Sequence, residues 1–263
     1  MASMVLERPD KFRIGRVFND SFAVIGRNPV LCLGSAVLFS GLPTLVFLLW
    51  MQAPEAGIAP GDPDSATVGG SSMLSRESVI TLGVWLMSFV LDLLLQSALV
   101  RATIEDLNGK QPSVGDCIKI AVGCFLPTLG IGLLAVLGAG LGLILLIVPG
   151  IILWLRWSVA VPVLVQERLG VFGSMARSSD LTKGSRWALF GLFLVMIVAV
   201  IAIELALGTA TALFGDGVVG AVMDALVTSV TSMVMSIATA VSYVELRQVR
   251  EGTSVDELAE IFS

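Results

Sequence analysis

The chain has 263 residues, 56% of them hydrophobic and only 14% charged, with a net charge of −5 and a mean hydropathy of +0.92. A soluble domain carries about 25% charged residues, so this composition excludes a water-soluble globular enzyme and a disordered chain, and its acidic balance leaves no basic footprint for nucleic acid. Histidine is absent, which removes His-based acid–base, nucleophile-activating and metal-ligand chemistry. The chain is therefore expected to be a multi-span membrane protein, not an enzyme, with no cofactor and no metal.

The first 15 residues include Glu7, Arg8, Asp10, Lys11 and Arg13 with no apolar run ahead of them, unlike a signal peptide. Ile14, Val17, Phe18, Ser21, Phe22 and Ile25 then share one helical face, opposite Arg13, Arg16, Asp20 and Arg27. The first apolar span covers residues 30–51 and starts at Asn28-Pro29, a helix-start signal. A Pro-, Gly- and Ser-rich acidic loop (52–78) leads to the second span, 79–100.

A second short amphipathic stretch, with Val114, Cys117, Ile118 and Ala121 on one face, precedes the third span, 126–147. Pro149-Gly150 reads as a turn into the fourth span, 151–166, where Pro162 is expected to make a kink. A third amphipathic stretch carries Phe172, Met175, Ala176 and Ser179 before spans five (187–212) and six (218–244). In the tail, Ser254 and Glu257 form a capping box ahead of Leu258, Ile261 and Phe262.

Each span approaches the ~20 residues needed to cross ~30 Å of hydrocarbon. The predicted fold is all-α, with six transmembrane helices as three hairpins, each preceded by a short cytoplasmic amphipathic helix. It forms a single domain: an N-terminal arm (1–29), a six-span bundle (30–244) and a tail helix (245–263). Of the 16 Lys and Arg residues, 14 fall in the arm, the loops after spans two and four, and the tail. The positive-inside rule then puts both termini in the cytoplasm. Amphipathic stretches of this kind suit the headgroup plane, basic side toward anionic lipid, so membrane lipids are the expected partners, with a protein partner as the other possibility.

Ionisable residues inside spans are costly and usually meaningful. Arg156, Glu204 and Asp224 lie roughly 9–12 Å from the outer ends of their spans at 1.5 Å per residue. Arg156 is expected to pair with Glu204, Asp224 or both. Asp92 and Gln96 lie deeper on span two, one helical turn apart. Two readings stand side by side: a structural ion pair locking the hairpins, or a polar path for a solute. Small residues at Thr228, Ser232, Ser236 and Ala240, and at Gly138 and Gly142, predict close helix packing. Cys32, Cys117 and Cys124 lack a metal-binding spacing and read as small apolar fillers.

One motif string carries a resemblance. It runs Pro149-Gly150-Ile151-Ile152-Leu153, Arg156-Trp157, Ala160-Val161-Pro162-Val163 and Glu167 with Gly170. It continues with Ala176-Arg177-Ser178-Ser179-Asp180-Leu181-Thr182-Lys183-Gly184 before Arg186-Trp187, then Tyr243-Val244-Glu245-Leu246-Arg247 with Glu251-Gly252. From about residue 110 onward the chain resembles the glycerophosphoryl diester phosphodiesterase membrane-domain family and the related YciC-like inner-membrane proteins. The resemblance implies a helical protein of the bacterial cytoplasmic membrane without the phosphodiesterase catalytic barrel. Glu167, Arg177, Asp180, Lys183, Arg186, Glu245 and Arg247 fall near span ends on the predicted cytoplasmic side. They are expected to act as a clamp, Arg177 with Glu245, or as a headgroup site using Arg177, Lys183 and Arg186. The leading functional expectation is a non-catalytic envelope module that organises lipid or a partner at that face. The alternative is a small-solute or lipid transporter with its path near Arg156, Glu204 and Asp224.

Overall fold

A computed structural model describes residues 11–52, 76–214 and 217–251. Among these residues every regular element is helical. The order is α1 (Ile14–Arg27), α2 (Pro29–Ala36), a π-helical turn (Val37–Gly41), α3 (Leu42–Gln52), α4 (Arg76–Leu107), α5 (Val114–Gly123), α6 (Phe125–Leu145), α7 (Ile147–Trp157), α8 (Ala160–Glu167), α9 (Gly170–Leu181), α10 (Arg186–Phe214) and α11 (Val218–Glu251). Six stretches are long and apolar enough to cross a membrane: Pro29–Trp50, Thr81–Leu107, Phe125–Ile144, Ile147–Glu167, Arg186–Leu207 and Val218–Glu251. The expected capping box at Ser254 and most of the acidic loop lie outside the described residues.

Three prolines explain where the spans are interrupted. A proline removes the N–H that would bond to the carbonyl four residues earlier. For Pro162 that carbonyl belongs to Ser158, and α7 stops at Trp157. Val159 leaves the helical region (φ −105°, ψ 17°), and α8 restarts with Pro162 in its first turn, where no N–H is needed. The sequence expectation placed the kink at Pro162 itself; the break lies just upstream. For Pro127 the orphaned carbonyl is that of Gly123, the last residue of α5. For Pro43 it is that of Phe39, inside the π-helical turn that absorbs the defect.

Pro149 does not make the turn between spans three and four. Leu146, in an extended conformation (φ −160°, ψ 128°), is the single residue separating α6 from α7. Pro149 then falls in the first turn of α7, a position that tolerates it. Tight reversal at Leu146 requires the two helices to touch. Gly142 on α6 lies against Gly150 on α7, and Gly138 lies under Trp157. The small residues at 138 and 142 thus serve packing within the chain. On α11 the same device operates: Ser232 Oγ lies 3.1 Å from Ser40 Oγ, and Ser229 lies against Gly41.

α8 is the packing centre. Ala160 to Val165 are all buried, enclosed by α4, α9 and α11. The same core takes Leu95, Leu99 and Val100 of α4, Leu189 and Leu192 of α10, and Ile237, Tyr243 and Leu246 of α11. α1 contributes Val17 and Val24, but Phe22, expected on its apolar face, is 61% exposed. On α9, Phe172 is likewise exposed.

Packing is polarised along the bundle. The buried residues of α4 and α10 lie toward one end of the bundle, and those of α11 are densest there, from Ser236 to Leu246, with only Ala221, Ala225, Ser229 and Met233 buried before them. The other ends expose Trp85 and Met87 of α4, Ile144 of α6, Val198 and Leu205 of α10, and Val219 of α11. Lipid tails are as apolar as leucine, so a membrane helix gains little by burying its apolar side chains in protein.

Cys32, Cys117 and Cys124 are free thiols. Cys117 of α5 is buried with Ala121 against Ala98 and Ala102 of α4. Burial, with Glu105 adding to it, pushes its thiol pKa up to about 11. The thiolate is the reactive form, so at pH 8 Cys117 should alkylate about 100-fold more slowly in the native protein than in the denatured one. Mass mapping after timed maleimide treatment measures this, and equal rates would contradict the burial. The sign for stability follows: the folded state keeps a proton that the unfolded thiol has released. This contribution is complete below the ordinary thiol pKa and is lost as pH rises toward 11.

Candidate functional site

α7 is held on one side by α9. Arg156 Nε donates to Ser179 Oγ at 2.9 Å, and Ser178 Oγ donates to the carbonyl of Arg156 at 2.7 Å. The two adjacent serines thereby fix both the side chain and the backbone of one residue. Between α6, α7 and α9 runs a groove of about 600 Å³, walled by Leu137, Leu141, Trp157, Phe172 and Met175, with Arg156 at its polar point and the exposed Asp180 at its rim.

On the other side α7 faces α10. Val148, Ile151, Leu155 and Phe190 bound a second cavity of about 390 Å³, whose one charged lining residue is Arg186. Trp154 and Phe193 stack obliquely beside it, with ring centroids 4.9 Å apart. Arg186 Nε is buried and has no hydrogen-bond acceptor among the described residues. Neither Arg156 nor Arg186 forms an ion pair among those residues.

The expected pairing of Arg156 with Glu204 or Asp224 is corrected by this geometry. Arg156 turns toward α9, Glu204 is exposed on the loosely packed half of α10, and Asp224 is half-buried on α11. The three are not brought together as a polar path. The span-based depth estimate missed this because α9 folds back along α7 and offers two hydroxyls. Asp92 is exposed on α4 with Ser40 as its polar neighbour, and Gln96 is half-buried one turn away.

At the far ends of α8 and α11 the cluster is different. Glu167 accepts two bonds, from Arg177 Nε at 3.1 Å and from the Tyr243 hydroxyl at 3.0 Å. Arg177 also reaches Glu251, which in turn pairs with Arg247 at 2.8 Å. Arg250 donates to the carbonyl of Lys183. A clamp between α9 and α11 was expected, but with Arg177 on Glu245. The partner is instead Glu251 together with Glu167, and Glu245 turns toward Arg16 of α1 at 3.4 Å. Arg177 is thus consumed within the protein, and Asp180 and Lys183 are exposed. Among the three expected headgroup cations, Arg186 is the one that lines an apolar cavity.

Sequence reasoning missed the roles of Ser178, Tyr243, Arg16 and Glu251. Tyr243 was detectable, since a single tyrosine in an apolar helix needs an acceptor for its hydroxyl. Arg16 was not, because 229 residues separate it from Glu245. Among the described residues no cluster of His, Cys, Asp or Glu could hold a metal ion. No family model, no curated protein and no solved structure matches this chain.

Proposed function

We propose that this chain is a non-catalytic multi-span membrane protein that holds anionic phospholipid along α7. The observation that carries the reading is the pair of apolar cavities flanking that helix, each containing one arginine without a carboxylate partner among the described residues. An unpaired guanidinium against an apolar wall is costly. A lipid phosphate supplies the missing charge bidentately, and its acyl chains cover the exposed apolar walls. The positive-inside distribution assigns Arg186, at the start of α10, to the cytoplasmic face, which favours the cytoplasmic leaflet of a bacterial inner membrane as the source of lipid for the cavity it lines.

Family membership is part of the same proposal. Its support is that the resembling motifs converge in space: Arg156 meets Ser178 and Ser179, and Glu167 meets Arg177 and Tyr243. The transport alternative has less support, since the three residues of its path stand apart.

Native mass spectrometry of the protein extracted from membranes tests the reading. Phosphatidylglycerol or cardiolipin should remain bound, and Arg156→Gln and Arg186→Gln should each lower retention about tenfold. Thermal stability should change by no more than about 1 kcal/mol, because neither variant removes an ion pair and Arg156→Gln loses one hydrogen bond, to Ser179. Unchanged retention in the double variant would sink the proposal.

A further inference from the structure

A third cavity is polar and belongs to different elements. It measures about 880 Å³ and lies between α1, the α4–α5 connection and the end of α11. One of its walls is Glu245, whose side chain is 3% exposed. Its Oε2 accepts one long bond from Arg16 Nη1 at 3.4 Å, and its Oε1 is buried with no partner among the described residues. A carboxylate has about four acceptor sites, and burial with most of them empty is expensive.

The other cavity charges do not meet this need. Arg27 is committed to Asp106 through Nε at 2.9 Å, with Asn28 Nδ2 on the other carboxylate oxygen at 2.6 Å. Lys110 stands exposed at the rim. The lining as a whole is balanced: Arg16, Arg27 and Lys110 against Asp20, Asp106 and Glu245. A net anion or a net cation gains nothing from such a wall. A zwitterion does, if its positive end is a hydrogen-bond donor.

We infer that this cavity binds a small zwitterion whose primary ammonium donates to Glu245 Oε1 while its anionic end is held by Arg16 and Lys110. The glycerophosphoethanolamine unit has this chemistry, its phosphodiester carrying a single negative charge against the ammonium, whether as the headgroup of a membrane lipid or as a free solute. Trimethylation of the nitrogen abolishes the donor while keeping the charge, so glycerophosphocholine serves as the control.

Isothermal titration of the full chain in detergent with glycerophosphoethanolamine and with glycerophosphocholine tests the inference. Vesicles of phosphatidylethanolamine or phosphatidylcholine form a second arm, and binding only in that arm identifies the lipid as the source. Glycerophosphoethanolamine or its lipid should bind at least about tenfold tighter than the choline counterpart. Glu245→Gln should abolish that preference, and Lys110→Ala should weaken both ligands about threefold. Arg156→Gln and Arg186→Gln should leave this binding intact, which separates it from the lipid sites along α7. Equal affinity for the two ligands, or no binding of either, overturns the inference. If Glu245→Gln fails to fold, the ligand comparison on the unaltered protein and on Lys110→Ala still decides.

Discussion

Gly150→Leu should separate α6 from α7 and cost about 3 kcal/mol, the upper range for forced overpacking. A Cβ on Gly150 would lie 2.5 Å from the backbone nitrogen of Leu143 and 2.8 Å from the carbonyl carbon of Gly142. Both obstacles are backbone, so no rotamer change relieves the clash. The reversal at Leu146 contains one residue, so the helices cannot slide apart without breaking it. Gly140→Ala is the matched control, on the facing helix α6. Nothing lies within 4 Å of its added Cβ, and alanine favours the helix over glycine by about 1 kcal/mol. Melting temperatures in one detergent check the pair: Gly150→Leu should fall steeply and Gly140→Ala should hold or rise. Wild-type stability in Gly150→Leu would mean that the two helices do not touch there. Both cavities proposed to hold lipid use α7, so on that proposal this variant should also lose retained lipid at the two sites together.

Glu167→Ala is expected to cost about 2–3 kcal/mol, through what it leaves behind. The Tyr243 hydroxyl is donated to Glu167 on a side chain only 1% exposed, so removing the carboxylate strands a buried donor. Arg177 loses one of its two acidic partners and keeps Glu251. Tyr243→Phe should cost less, about 1 kcal/mol, because donor and need disappear together while the carboxylate keeps Arg177. The two losses should not add. Glu167→Ala in the Tyr243→Phe background should cost about 1 kcal/mol less than in the unaltered protein. Unfolding measurements on the four proteins of this cycle provide the check, and strict additivity would show that the hydrogen bond contributes nothing. Arg177→Ala is the complementary case. It frees one face of α9 while Ser178 and Ser179, in the same turn, still hold another face at Arg156.

The division between what composition dictated and what folding decided follows from range. Apolar runs of membrane length, proline spacing and the scarcity of charge are local, and they were enough to give the helical class and the six candidate spans. Span limits moved where a helix continued past its apolar part, as α4 does through Arg101 and Glu105 to Leu107 and α11 through Arg247 to Glu251, and where the fourth span starts at Ile147 because Leu146, not Pro149-Gly150, makes the turn. The break at Ser158 was readable in principle, since Pro162 specifies which carbonyl it orphans.

Partner choice was not readable. Arg156 had two intramembrane acids within plausible depth, and it took two serines from α9 because that helix folds back beside α7. Glu245 is two positions from Tyr243 on the same helix, yet Tyr243 meets α8 and Glu245 meets α1. Successive residues of a helix point about 100° apart, so each charge on α11 answers to a different neighbour. The sequence by itself determined how many helices can cross a membrane, because burying backbone in hydrocarbon leaves few solutions. Which charges were neutralised and which two arginines were left lining apolar cavities was decided by tertiary structure alone, because long side chains select among whatever groups packing brings within about 3 Å.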